Sequence, residues 1–140
     1  MAVKVGKVAS VRLGTYKIAG MGQWGLSGFT REVLDDTEFG DDIKSFVFGI
    51  GDAGEVSFEG NYDPADTTGQ ALLNSACENA SAFSGGTVGL VFYIDNTSYW
   101  SVTTGGQILV TKATAVTMEK SGLGRISFTG KVSGGKMVLQ

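Results

Sequence analysis

The chain has 140 residues, enough for about one domain with a core of its own, and a formal net charge of −3. With that charge and no basic run, tight binding to a nucleic-acid backbone is not expected. The absence of histidine excludes histidine-based catalytic triads and histidine metal sites. The 22 glycines, about twice the usual share, predict a twisted β protein with bulges and tight turns.

The N-terminal segment predicts a strand. Apolar and polar residues alternate over residues 3–13, and Gly14 ends the pattern. Lys7 and Arg12 interrupt the apolar residues, so no signal peptide is expected here, and no stretch approaches membrane-spanning length. A single cysteine fits synthesis in a reducing cytoplasm.

A glycine-rich segment follows, and it predicts an extended loop over about residues 14–28. Trp24 lies inside this loop, and Phe29 comes directly after it. Two interpretations are open. The aromatic side chains pin the loop onto the core, or they reach a neighbouring subunit, since aromatic residues are enriched at the centres of interfaces.

The densest charge in the chain is the sequence DDTEFGDD over residues 35–42, after a predicted strand at 29–34. Its spacing does not match a calcium-binding loop. Acid–base chemistry by paired carboxylates would need a pocket, and no motif indicates one. A solvated acidic loop is therefore the preferred interpretation. Its carboxylates are Asp35, Asp36, Glu38, Asp41 and Asp42.

Residues 43–49 and 55–62 predict a β-hairpin around a turn at 51–54. In the second strand every other residue is apolar or glycine, so this strand is expected to be half-buried. Its polar face carries Glu55, Ser57, Glu59 and Asn61.

The only convincing helix is predicted over about residues 64–82. Asp63 is placed to cap it, and Pro64 suits the first helical position. Asp66 lies in the first turn, near the positive end of the helix dipole. An apolar stripe at helical spacing indicates that the helix lies across a sheet. Cys77 belongs to this stripe and is expected to be a buried structural thiol, because a nucleophile would need a base.

The C-terminal half adds strands and one internal repeat. Residues 125–132 share the pattern β-branched–Ser–Phe–x–Gly with residues 55–62, which predicts that the two strands lie in one sheet. There, Arg125 and Lys131 would offset the acids of the other strand. Further strands are predicted at 87–94, 98–103 and 107–118, with a short C-terminal tail or edge strand over 133–140.

Together these elements predict a mainly β fold. We expect a single domain over residues 1–140, an antiparallel β-sandwich or half-barrel with one flanking α-helix and long glycine-rich loops.

No motif for catalysis or cofactor binding is found. The glycine–lysine run at 134–136 lacks the rest of a phosphate-binding loop. Tyr93, Tyr99 and Trp100 lack the nearby cations that a base-stacking platform would need, so packing is the preferred role. We therefore expect no enzyme, no cofactor and no metal site. Two alternatives stay open: a monomeric β-sandwich module that binds carbohydrate or peptide through these aromatic residues, and an enzyme with Asp/Glu pairs as acid and base.

Three segments in order carry a family resemblance. They are Asp-x-Thr-x-Phe-Gly-Asp at 35–41, Ser-Phe-x-Gly-x-Tyr-Asp at 57–63 and Pro-Ala-Asp-Thr-Thr-Gly-Gln at 64–70. Over about residues 29–80 the chain resembles the major tail tube proteins of tailed bacteriophages. The resemblance implies a β-sandwich or half-barrel with one helix, and hexameric rings stacked into a tube through which the genome passes. It also implies an architecture shared with type VI secretion tubes, and a secretion-system tube protein is a further alternative.

On this resemblance the protein is a virion tail component made in the host cytoplasm. Its partners would be further copies of itself, a tape-measure protein, a tail terminator, and baseplate or tip proteins, with no membrane. Genome DNA would pass an acidic lumen without specific binding, since an acidic wall repels the duplex. Glu55 and Glu59 are the hypothetical lumen-facing acids. The hypothetical contacts between subunits or rings are Trp24, Phe29, Asp35, Asp36, Glu38, Asp41 and Asp42.

Overall fold

The structure, a computed structural model, describes residues 6–86 and 89–140. Residues 3–5 of the first predicted strand and residues 87–88 of a later one lie outside these ranges. A short 3-10 helix at Gly6–Val8 precedes the first strand. The elements are β1 (Ser10–Leu13), β2 (Tyr16–Lys17), β3 (Met21–Leu26), β4 (Thr30–Asp35), β5 (Phe46–Asp52), β6 (Glu55–Asn61), α1 (Gln70–Glu78), β7 (Ala82–Ser84), β8 (Leu90–Tyr93), β9 (Tyr99–Val102), β10 (Gln107–Thr117), β11 (Arg125–Ser133) and β12 (Met137–Leu139).

Two antiparallel sheets enclose the core. Sheet A has the strand order β12-β9-β8-β1-β2, and sheet B has the order β3-β6-β11-β10-β7. Buried side chains from both sheets form one cluster, in which Phe92 of sheet A packs against Trp24 and Phe58 of sheet B. The predicted fold class, a mainly β antiparallel sandwich with one helix, is confirmed.

The two strands that share a sequence pattern, β6 and β11, lie side by side in sheet B. Their antiparallel register places Phe58 opposite Phe128, and each strand's glycine opposite a β-branched residue of the other strand. The prediction that these strands share a sheet is therefore confirmed. Each copy of the motif contributes one buried phenylalanine, Phe58 or Phe128, to the centre of the core.

The helix is shorter than predicted. It spans Gln70–Glu78 rather than about 64–82. The carboxylate of Asp66 accepts hydrogen bonds from the backbone N–H groups of residues 69 and 70, both at 3.2 Å. These bonds hold the preceding residues in turns, so the helix begins later. Asp66 thereby takes the capping role that the sequence pattern assigned to Asp63.

One face of α1 closes the core. Leu73 and Ala76 are buried there, while Leu72 is exposed. Cys77 is half-buried against the same apolar cluster, less enclosed than predicted. No helix in the described part of the chain is long and apolar enough to cross a membrane.

The predicted hairpin of β5 with β6 is wrong. β5 pairs with β4 in a separate two-stranded sheet. β6 pairs with β3 on one side and β11 on the other, so it has no free edge for β5. We call β4, β5 and the connecting residues 36–45 the arm.

The extended loop predicted over residues 14–28 is also corrected, because it contains β2 and β3. β3 pairs with β6, and glycine at positions 20 and 60 lets the two backbones approach closely where β6 ends. The segment over 133–140, predicted as a tail or a short edge strand, contains β12, which pairs with β9 at the edge of sheet A and so confirms the edge strand.

Candidate assembly interface

The arm leaves the body of the molecule as an exposed ribbon. Its register runs from Thr30 opposite Asp52 to Asp35 opposite Phe46. Every residue of β4 is exposed, and β5 is half-buried only at Gly49 and at Gly51. The arm therefore has almost no packing against either large sheet.

Both faces of the arm carry large apolar side chains. One face presents the registered partners Val33 and Phe48, and the other presents Leu34 and Val47. Phe48 is 78% exposed and Ile50 is 83% exposed. Soluble monomers rarely present such a continuous apolar surface, and an isolated two-stranded hairpin is marginally stable at best. The arm thus has the composition of a segment that other surfaces cover.

The loop at the tip of the arm is acidic, and its carboxylates bond to its own backbone. Asp35 Oδ1 accepts a hydrogen bond from the Thr37 N–H at 2.9 Å, and Asp41 Oδ2 accepts one from the Glu38 N–H at 2.8 Å. Hydrogen bonds from Thr37 lower the pKa of Asp35. Phe39 stands fully exposed among these acids. The tip therefore combines negative charge with an unburied aromatic ring.

Hydrogen bonds fix the base of the arm to sheet B. Lys131 Nζ donates to both carboxylate oxygens of Asp52, at 2.8 and 2.9 Å, and the Gly54 N–H donates to Asp52 Oδ1 at 2.8 Å. Lys131 first, and then the Gly54 N–H, lower the pKa of Asp52. Gly54 has a φ of 88°, and a Cβ there would meet the carbonyl oxygen of Gly28. These contacts set the direction in which the arm leaves β6.

The two aromatic residues predicted at interfaces lie in different surroundings. Trp24 is in β3, half-buried, with its ring centroid 5.5 Å from that of Phe92. Phe29 is exposed at the base of the arm, where the Arg31 guanidinium lies 5.3 Å over its ring. Trp24 therefore packs onto the core, whereas Phe29 is exposed and accessible to a neighbouring subunit.

Glu55 and Glu59 point away from the core on the outward face of sheet B. Arg125 Nη2 lies 3.9 Å from Glu59 Oε1, which confirms the predicted offset for that acid. Lys131 is the registered partner of Glu55, but its ammonium binds Asp52 instead. The outward face is polar, and a cation stands beside Glu59.

The aromatic residues of β8 and β9 pack largely against the molecule itself. The rings of Tyr93 and Tyr99 have centroids 5.0 Å apart. The Arg12 guanidinium lies 4.0 Å over Tyr93, so the prediction that no cation lies near these rings is wrong. Trp100 lines a groove of about 820 Å³ beside the base of the arm, together with Met137. Within residues 6–86 and 89–140, no three Cys, Asp or Glu side chains are placed to hold a metal ion.

The apolar residues of β5 were not among the predicted contacts. The sequence pattern predicts β5 in a hairpin with β6, and that prediction assigned no interface role to Phe46 or Phe48. One signal indicated otherwise: apolar residues occupy four of the five positions over 46–50, so both faces of the strand are apolar. Such a strand is expected to be covered on both faces, but neither large sheet covers β5.

No protein-family model and no curated protein sequence matches the chain, but solved structures do. A chain in the tail of an empty gene transfer agent particle, refined helically with C6 symmetry, matches with a TM-score of 0.68 and 16% identity over 99% of each chain. A chain in the sheath/tube terminator of PVC, an extracellular contractile injection system, matches with a TM-score of 0.73 and 11% identity, covering 100% of this chain and 98% of that one.

This chain has the fold of those tail and injection-system proteins. A further chain, from the sheath-tube complex of the same injection system, agrees with a TM-score of 0.69 and 12% identity, covering 95% of this chain and 88% of that one. The resemblance to tail tube proteins, drawn from the segments at 35–41, 57–63 and 64–70, is therefore confirmed at the level of the fold.

Proposed function

We propose that this protein is a structural, non-enzymatic subunit of a phage-like tail tube. The observation that carries the proposal is the arm, a ribbon with large apolar side chains exposed on both faces. An isolated ribbon of this kind is marginal in water, so it needs surfaces that cover it. Other copies of the same chain supply those surfaces in a stack.

The proposed assembly is a hexameric ring of six single-domain subunits, repeated along a tube. The likeness to a chain from a tail refined with C6 symmetry supports this number. In sheet B the strand order ends at β3 and β7, among the residues described. Edge strands that pair around a closed ring leave no free edge. This pairing prevents the aggregation that exposed edge strands promote.

The outward face of sheet B is the proposed lining of the bore. It carries Glu55 and Glu59 with serine and threonine side chains between the charges. Arg125 beside Glu59 limits the excess of negative charge on this face. A surface that neutralises few phosphates binds DNA weakly, which suits a conduit for the genome and for a tape-measure protein.

A subunit of a virion tail tube would also contact proteins at the two ends of the tube. A tube has two ends, and each end presents unsatisfied stacking surfaces. A terminator would cover one end and baseplate or tip proteins the other. The descriptions of two similar structures, an injection-system sheath/tube terminator and a baseplate, support these classes of partner.

Purified wild-type protein tests this proposal directly. Negative-stain microscopy should show rings or tubes, and light scattering after size exclusion should give a mass several times that of the 14.6 kDa chain. A strict monomer at every concentration up to the solubility limit would contradict the proposal.

The groove beside the base of the arm favours a second candidate, the monomeric binding module. It is lined by Trp100, Leu26 and Met137, and apolar residues with a few polar groups are typical of ligand sites. Peptide or oligosaccharide added to a monomeric preparation should then shift the resonances of these residues in NMR spectra. Unshifted resonances would remove this candidate.

A further inference from the structure

The arm and the β10–β11 hairpin lie at opposite ends of sheet B. The arm joins the sheet where β6 begins, since β5 ends at Asp52, whose carboxylate binds Lys131, the registered partner of Glu55. The turn between β10 and β11 lies where β6 ends, because Arg125 is the registered partner of both Thr117 and Asn61. About 20 Å of strand separates the two ends.

The turn between β10 and β11 is itself an exposed apolar surface. We call residues 118–125 the β10–β11 tip. Met118 is 69% exposed and Leu123 is 70% exposed. The Tyr62 N–H donates to the Gly124 carbonyl oxygen at 2.8 Å, which holds the tip against the end of β6. The tip is thus a fixed surface that no described part of the chain covers.

The two ends differ in charge. Five carboxylates against Lys44 leave residues 35–44 with −4. The β10–β11 tip carries Lys120 and Arg125 against Glu119, and because Arg125 already lies 3.9 Å from Glu59, Lys120 is the cation that this tip offers to an acidic loop. Each end also presents large apolar side chains, so the two surfaces are suited to contact each other.

We propose that the loop at the end of one copy's arm docks on the β10–β11 tip of the next copy along the tube. In this contact Phe39 and Ile43 pack against Met118 and Leu123, and the acidic loop faces Lys120. Complementary patches at opposite ends of one molecule form a heterologous contact, and such a contact repeats without limit along an axis. This inference rests on the proposed tube and names the receptor for its arm.

Disulfide trapping tests the contact. In a Cys77→Ser background, the double variant Phe39→Cys/Leu123→Cys should not close a bridge within one chain, because the arm that carries Phe39 leaves sheet B at the end opposite Leu123. Oxidation of assembled protein should give a ladder of covalently linked chains on a denaturing gel. The matched control, Phe39→Cys/Thr97→Cys, moves one cysteine to the exposed turn between β8 and β9 and should give no ladder.

The outcomes separate the two proposals. Tubes that form but give no ladder with Phe39→Cys/Leu123→Cys would overturn this contact and leave the tube proposal standing. Wild-type protein that forms no assembly would overturn both. A charge test adds a second readout: Lys120→Glu should raise the concentration needed for assembly by about tenfold, and Asp42→Lys added to it should restore assembly. Unchanged assembly of Lys120→Glu at low salt would count against the contact.

Discussion

Phe58 and Phe128 stack across β6 and β11 with ring centroids 5.2 Å apart, and they are registered partners in sheet B. Both are almost completely buried. The same short motif supplies both rings, so the centre of the core depends on two strands that are far apart in sequence. Sheet B is the platform from which the arm projects.

Removing one of these rings should destabilise the subunit strongly. Phe128→Ala leaves a cavity beside Phe58, and such truncations cost about 3–5 kcal/mol. The measurement is the free energy of unfolding in urea. Phe39→Ala is the matched control, because that ring is fully exposed and its loss should leave the unfolding free energy unchanged. Equal effects of the two variants would contradict this account of the core.

The close approach of β3 to β6 predicts a large effect from a single methyl group. A Cβ at Gly60 would meet the backbone of Gly20 and Met21, which cannot give way without breaking the pairing of β3 with β6. Gly60→Ala should therefore lower the melting temperature sharply. Gly22→Ala adds the same methyl group to β3 where no atom lies within 4 Å, so it should melt like the wild type.

Stability should fall in acid through Asp66, which is buried and joins three segments of the chain. It accepts hydrogen bonds from the Tyr16 hydroxyl, from the Ala19 N–H at 3.0 Å and from the start of α1. Burial alone would raise the pKa of Asp66, but the hydroxyl and three backbone N–H groups together lower it. The stabilisation is therefore complete above the unfolded value, about 3.9, and is lost as the pH falls through the lower folded value.

The melting temperature measured from pH 7 to pH 2.5 checks this prediction against Asp66→Asn. At pH 7 the variant should be less stable by about 1–3 kcal/mol, because the amide of Asn places a donor where N–H groups already point. The difference in stability between the wild type and Asp66→Asn should shrink as acid protonates the wild-type carboxyl. A difference in melting temperature that stays constant from pH 7 to pH 2.5 would mean that other groups cause the loss of stability in acid.

Apolar residues of the arm should matter for assembly and not for folding. Phe48→Ser/Ile50→Ser removes exposed apolar surface without touching the core, so the unfolding free energy should stay within about 0.5 kcal/mol of the wild type. Ring and tube formation should be lost, as sedimentation would show. Leu72→Ser on the exposed side of α1 is the matched control and should assemble normally. Assembly of the arm variant at wild-type concentrations would remove the arm from the interface.

The proposed lining of the bore makes a functional prediction. Glu55→Gln/Glu59→Gln should leave tubes intact but slow DNA delivery, because fewer negative charges repel the duplex. Glu78→Gln, at the end of α1, is the control for loss of charge elsewhere. Unchanged infectivity of particles that carry the double variant would count against these acids as lumen residues.

Local patterns predicted much of the fold. The motif that β6 and β11 share predicted that Phe58 and Phe128 lie in one sheet, and the alternation in each strand fixes which side faces the core. The register that stacks their rings is a property of pairing between distant strands, and neither strand contains that information alone. The start of α1 was missed for a related reason, since the carboxylate of Asp66 that caps the helix is also held by the N–H of Ala19, a residue 47 positions away in sequence.

The pairing of β5 in the arm could not be predicted from residues that are close in sequence. Nearness in sequence favours a hairpin of β5 with β6, but β6 already has partners on both edges, so β5 pairs with β4 instead. The acidic residues of the arm could be predicted as a solvated loop. The exposure of Phe46, Phe48 and Ile50 was indicated only by the run of apolar residues over 46–50, because the cover that we propose for them belongs to other molecules.

Cryo-electron microscopy of the assembled wild-type protein tests the central claim most directly. We expect stacked rings of six subunits, with both apolar faces of each arm buried between neighbouring copies. Particles in which Phe48 and Ile50 remain in solvent, or a protein that stays a single subunit with its arm uncovered, would contradict it.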